Sequence, residues 1–167
     1  MKVTATRDGH LKKVIKQVDN VNKKEVRVGI FPDSGELEMI ARVHEFGCTI
    51  RVTPKMRNYL HAKGLHLRNS TDTITIPERS FIRAGFAETR KKFVNHSKDM
   101  LVSALQNRAN IEPVIGRLGN ELAGDIQDYA VDLKDPANHP FTIEQKKSSN
   151  PLIDTGRMIS EIVSRVE

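Results

Sequence analysis

Between residues 111 and 133 the apolar side chains Ile111, Ile115, Leu118, Leu122, Ile126, Tyr129 and Leu133 step by 4, 3, 4, 4, 3 and 4. That rhythm follows the 3.6-residue turn and places all of them on one helical face, which must be covered by other parts of the fold. A second stripe, Ile82, Phe86, Phe93, Met100, Leu101 and Leu105, predicts another long helix over residues 80–106. Gly116, Gly119 and Gly124 interrupt the first of these stripes. Each weakens a helix by about 1 kcal/mol relative to Ala; close packing against another backbone would explain them, and three ordinary weak points are the alternative.

The remaining pattern is shorter and mixed. Leu11, Val14, Ile15, Val18 and Val21 give a basic amphipathic helix over residues 8–20. Val26, Val28 and Ile30 alternate with polar or small neighbours as in a strand with one buried face, and Pro32 ends it. Asp33 followed three residues later by Glu36 has the capping-box spacing and opens a helix that runs to Gly47, with Glu45 expected exposed and Phe46 expected in the core. Cys48, Ile50 and Val52 alternate again and stop at Pro54. Residues 55–63 suggest a short helix, and Leu65, Leu67, Ile74 and Ile76 a hairpin around a polar turn. Residues 142–147 suggest one helical turn, and residues 157–166 suit a strand or a helix equally. The expected fold is α+β: a small, mostly antiparallel sheet packed against two long helices, with a short N-terminal helix. The 167 residues suit a single domain, with 54–75 an extended helix-hairpin excursion.

Charge is segregated along the chain. The net charge is +6 and the isoelectric point about 9.5. Residues 1–30 carry eight basic and three acidic residues, residues 50–68 carry five basic and no acidic ones, and residues 111–135 carry two basic and six acidic ones. Opposite patches on one chain suit contacts between copies. A basic excess also suits nucleic acid, so a DNA-binding or regulatory protein is the alternative expectation. The runs Lys12-Lys13, Lys23-Lys24 and Arg90-Lys91-Lys92 lack interleaved aromatics on which bases would stack. No apolar run reaches the length of a membrane span, no secretory signal is expected at the N-terminus, and the lone Cys48 fits folding in a reducing compartment.

Motifs for chemistry are sparse. Asp154-Thr155-Gly156 matches the short aspartic-protease signature, but that chemistry needs two aspartates sharing a proton and the chain carries one copy. An aspartyl hydrolase is therefore a remote alternative, and a turn is the expected role of the segment. His61 and His66 are five apart, unlike a helical metal pair, and His44 lies on an apolar helix face. Patterns for a nucleophile elbow, a dinucleotide-binding loop or a phosphate loop do not occur. No catalytic residue, cofactor or metal is expected.

Three segments, taken in order, carry a resemblance: His44-Glu45-Phe46-Gly47, then Ile76-Pro77-Glu78-Arg79-Ser80-Phe81-Ile82-Arg83, then Pro151-Leu152-Ile153-Asp154-Thr155-Gly156-Arg157-Met158. Their order and spacing resemble the tail-completion and neck proteins of long-tailed phages, a group that includes the lambdoid minor tail protein Z and the phage virion-morphogenesis proteins. The likeness covers roughly residues 24–166. Glu78 and Ser80 stand where members often have a small residue and a Pro, and Glu161 stands where a Ser often precedes the Ile. Residues 54–75 exceed the minimal family core.

The resemblance implies a structural virion protein at the head–tail junction, made in the host bacterial cytoplasm and acting by assembly. It implies a homo-oligomeric ring, with a tail terminator, a tail tube or a head-completion protein as neighbours, and DNA only as it passes through the channel. Within that reading Arg79, Arg83, Glu45, Asp125 and Asp128 are the expected contacts between subunits or with partners. His44, Phe46, Gly47, Pro77, Phe81, Asp154, Thr155 and Gly156 are the expected structural motif, with Ser80 capping the helix that begins beside Phe81.

Overall fold

The computed structural model describes residues 5–167. In chain order these form α1 (Ala5–Val21), β1 (Val26–Gly29), α2 (Glu36–Phe46), β2 (Cys48–Arg51), α3 (Pro54–Ala62) and β3 (Thr73–Ile76). The two long helices α4 (Ile82–Gln106) and α5 (Glu112–Asp132) follow, then α6 (Pro140–Lys146), α7 (Arg157–Ser160) and β4 (Val163–Val166). The fold is α+β, as expected, but its strands form two separate antiparallel ladders. One pairs β1 with β4, from Val26 opposite Val166 to Gly29 opposite Val163. The other pairs β2 with β3, from Cys48 opposite Ile76 to Arg51 opposite Thr73.

The helix α5 is the axle of the core. Ile115, Leu118, Leu122, Ala123, Ile126 and Ala130 are buried on it, and Ile111 is buried beside its first turn. Leu122, Ile126 and Ala130 join Ala41 of α2, Phe81, and Leu152, Met158, Ile159 and Ile162 from the C-terminal segment in one apolar cluster. Burial of the Leu, Ile, Met and Phe side chains of this cluster contributes roughly 1.5–3 kcal/mol each and is the main source of stability.

The glycines divide into two kinds. A Cβ on Gly119 would lie 3.0 Å from the Ser164 side chain and 3.0 Å from Val26 Cγ1, so this glycine seats α5 on the β1–β4 ladder. On α4, Gly85 faces the Tyr129 ring, at 3.2 Å for the same hypothetical atom. Gly116 and Gly124 face open space, so close packing does not account for them.

Several sequence expectations are corrected. Leu65 and Leu67 do not pair with Ile74 and Ile76, because β3 pairs with β2 and the loop before it is held by Arg57. The Arg57 guanidinium donates to the carbonyls of Leu67, Arg68 and Thr71 at 3.4, 2.8 and 2.7 Å, so backbone acceptors rather than a strand partner order the turn. The 54–75 excursion is therefore a helix and loop bracketed by a ladder. Asp33 and Glu36 form no capping box: Pro32–Ser34 is a 3-10 turn and Gly35, at φ 58°, precedes α2. Residues 157–166 are both alternatives in succession, α7 and then β4.

Candidate functional site

The segments that carry the resemblance meet in space. Gly47 ends α2 with φ 71°, and a Cβ there would sit 2.9 Å from the Glu78 nitrogen and 3.1 Å from the Ile76 carbonyl oxygen. Both the conformation and the close approach require glycine. The approach lets the Arg79 backbone N–H donate to the His44 carbonyl at 2.7 Å. The end of α2 and the start of α4 are thus clasped together. Phe81 is fully buried beneath them, in the same cluster as Leu152 and Met158 of the third segment.

Glu45 is the centre of this clasp. It is 4% exposed, whereas Phe46 is 62% exposed, the reverse of the sequence expectation. Helix geometry explains the swap: Glu45 shares the inward face with the buried Ala41, and Phe46 is one residue, or 100°, further round. The Glu45 carboxylate accepts from Ser80 Oγ at 2.9 Å, from the backbone N–H groups of Ile82 and Arg83 at 2.9 and 3.0 Å, and from Arg83 Nε at 2.9 Å. It is therefore Glu45, not Ser80, that caps α4, with its charge on the positive end of the helix dipole. Arg83 Nη2 donates to the Glu45 carbonyl and to Glu78 at 2.9 and 2.8 Å, and the guanidinium stacks 4.7 Å from the Phe46 ring centre. Hydrogen bonding to Glu45 raises the Arg83 pKa above its ordinary value.

Arg79 is also turned inward, at 4% exposure. Its Nε donates to the Pro136 carbonyl at 2.6 Å, Nη2 to the Ala137 carbonyl and Asn138 Oδ1 at 3.1 and 3.2 Å, and Nη1 to His44 Nδ1 at 3.3 Å. A guanidinium has no lone pair to accept with, so His44 Nδ1 is the acceptor and the ring is neutral. Burial lowers the His44 pKa from 6.5 to about 4, helped by the nearby charges of Arg79 and Lys146. Burial likewise lowers that of Arg79. Arg79 and Glu45 are thus corrected from partner contacts to internal ties, and Arg83 is half-exposed with its donors engaged inside the chain. In the third segment Asp154 and Thr155 are exposed and Gly156, at φ 80°, begins α7.

Asp125 and Asp128 lie elsewhere, in a groove between α4 and α5. Asp125 faces Lys92 at 3.4 Å, and Glu121 is paired with Arg117 and His96. Asp128 is exposed and forms no ion pair among the described residues. Glu88, Asp132 and Asp135 line the same groove. On α1, Leu11 and Ile15 are 60% and 51% exposed, next to the exposed Lys12, Lys13 and Lys16. These two surfaces were only partly legible in the sequence. The helix and its charge follow from periodicity, but the exposure of its apolar face depends on where the chain places it.

Among the described residues no group of three or more His, Cys, Asp or Glu side chains is placed to hold a metal ion. Among them, too, no helix is long and apolar enough to cross a membrane. Comparison with protein-family models, with curated proteins and with solved structures gave no match.

Proposed function

We propose that this protein is a structural subunit of the phage head–tail junction, a neck or tail-completion protein that acts by assembling into a ring. One observation carries the reading. The three segments on which the resemblance rests, far apart in sequence, converge on one clasp around Phe81. That convergence is what a shared structural motif would need, and it supports the reading. Surface chemistry supports an assembly role: exposed apolar residues on α1 and α2 and patches of opposite charge suit protein contacts.

The test is deletion of the gene from the phage genome that encodes it, with particles viewed by electron microscopy and the protein located by gold-labelled antibody. Full heads and complete tails that fail to join, restored by the gene in trans, are expected, with label at the neck of intact particles. Joined, infectious particles in normal numbers after deletion would overturn the reading. The basic surface favours one alternative, a DNA-binding protein, which would bind duplex DNA as a free monomer with steep salt dependence.

A further inference from the structure

We propose that α1 is an assembly arm, which docks in the acidic α4–α5 groove of a second copy of the chain. The inference rests on the ring-assembly reading above and adds the contact that makes the ring.

The arm is unsatisfied in the single chain. Leu11, Ile15 and Val18 fall at i, i+4 and i+7 on one face, and they are 60%, 51% and 37% exposed. Among the described residues its ties to the rest of the chain lie toward the C-terminal end, where Gln17 donates to the Ala109 carbonyl at 3.4 Å and Lys24, just beyond the helix, pairs with Glu112 at 2.7 Å. Lys12, Lys13 and Lys16 form no ion pair among the described residues. An apolar stripe edged by lysines, held away from its own core, is built to lie on an apolar surface edged by carboxylates.

The groove has that chemistry. Glu88, Asp125, Asp128, Asp132 and Asp135 line it, with Tyr129 and Leu133 between them, and a single lysine, Lys134, leaves the lining acidic by five charges to one. Of these carboxylates only Asp125 has a basic partner within 4 Å among the described residues. The groove also follows α5 to its C-terminal end, where the helix dipole is negative and the last turn carries no basic residue. Carboxylates at that end are mutually repulsive and are relieved by an outside cation. The spacing matches as well: Lys12 and Lys16 are four residues apart, as are Asp128 and Asp132, so each pair spans about 6 Å along its helix. In both helices the charged row lies beside an apolar row, Leu11 and Ile15 on the arm, Tyr129 and Leu133 at the groove. One chain carries both halves on different surfaces, so the contact is head-to-tail and propagates from copy to copy until a ring closes.

The experiment uses the full-length protein with Cys48→Ser. One preparation carries Ile15→Cys on the arm and the other Thr89→Cys in the groove. Each chain then has a single thiol, so a mixed disulfide forms only between copies. Oxidation of the mixture should give the mixed dimer in large excess over either like pair. Lys12→Glu with Lys16→Glu should reduce its yield about tenfold or more, and Asp128→Lys with Asp132→Lys on the groove chain should restore it. Circular dichroism melts on each variant check the fold, and Leu11→Asp, combined with Ile15→Cys, supplies a second way to weaken the arm. Absence of the mixed dimer between folded chains at high concentration would overturn the proposal. So would a yield indifferent to the charge reversals, or duplex DNA binding that Lys12→Glu with Lys16→Glu abolishes while no mixed dimer forms. A charge-dependent mixed dimer together with joined particles after gene deletion would retain the arm and discard the neck. Unjoined particles without the mixed dimer would do the reverse.

Discussion

Replacing Glu45 by Ala should be among the most destabilising changes available in the clasp. The carboxylate makes four hydrogen bonds, three of them to groups that have little else to bond to: Ser80 Oγ and the first backbone N–H groups of α4. Loss of an N-terminal cap costs about 0.5–2 kcal/mol. Leaving a half-buried donor without an acceptor costs about 1–3 kcal/mol more. Arg83 adds little, because its side chain is 54% exposed and can turn to water, which keeps such a pair near 0–1 kcal/mol. The expected loss is therefore about 2–4 kcal/mol, or roughly 4–16 °C in melting temperature for a chain of this size. Arg83→Ala, which leaves the cap intact, should cost no more than about 1 kcal/mol. Thermal and urea melts followed by circular dichroism read both. A Glu45→Ala protein that melts within about 2 °C of the parent, or an Arg83→Ala protein that is the less stable of the two, would refute capping as the role of Glu45.

The other expectations follow the same geometry. His44 has a folded pKa of about 4, below the 6.5 of an unfolded histidine, so protons favour the unfolded chain. Stability should be undiminished above pH 6.5 and fall by about 3 kcal/mol as the pH drops to 4, and urea melts of His44→Asn should lose that part of the slope. Gly47→Ala and Gly119→Ala should each destabilise by more than about 1 kcal/mol, since the added methyl meets backbone at one and the β1–β4 ladder at the other. In contrast, Gly116→Ala and Gly124→Ala should be neutral or stabilise by up to about 1 kcal/mol. Leu118→Ala and Leu122→Ala should each lower stability by roughly 2–5 kcal/mol in the same melts.

The sequence was most legible where periodicity alone decides the outcome. The stripe from Ile111 to Leu133 fixes α5 and its buried face, because seven positions in one rhythm leave a single orientation that covers them. Shorter patterns failed where long-range pairing competes. Ile74 and Ile76 alternate correctly for a strand, but alternation does not name the partner, and β2 won over Leu65 and Leu67. Glu45 and Phe46 were assigned by residue type, which places a Phe inside and a Glu outside. The structure reverses them because a buried carboxylate with four donors is satisfied, and the exposed Phe46 ring is covered by Arg83. No local signal announces that a helix start 37 residues away will supply those donors.

This inward use of the clasp changes which substitutions can report on assembly. Arg83→Glu would place a second carboxylate against the buried Glu45 and close to Glu78, in the position where Arg83 now donates to both. A loss of about 1–3 kcal/mol is expected from that repulsion and the lost donors, so failure to assemble would follow from a weakened fold as readily as from a lost contact. Asp128 and Asp132 are exposed, and basic side chains there would sit at the negative end of α5. Asp128→Lys with Asp132→Lys should therefore leave the melting temperature unchanged or raise it, by an amount equivalent to about 0.3–1 kcal/mol per charge at low salt. A melt in which this pair destabilises the protein as much as Arg83→Glu would mean that the acidic groove is part of the fold's own structure and not a free surface. The opposite result, a stable double variant that no longer accepts the arm, separates folding from assembly at a place where, among the described residues, carboxylates without an ion pair lie beside an apolar row.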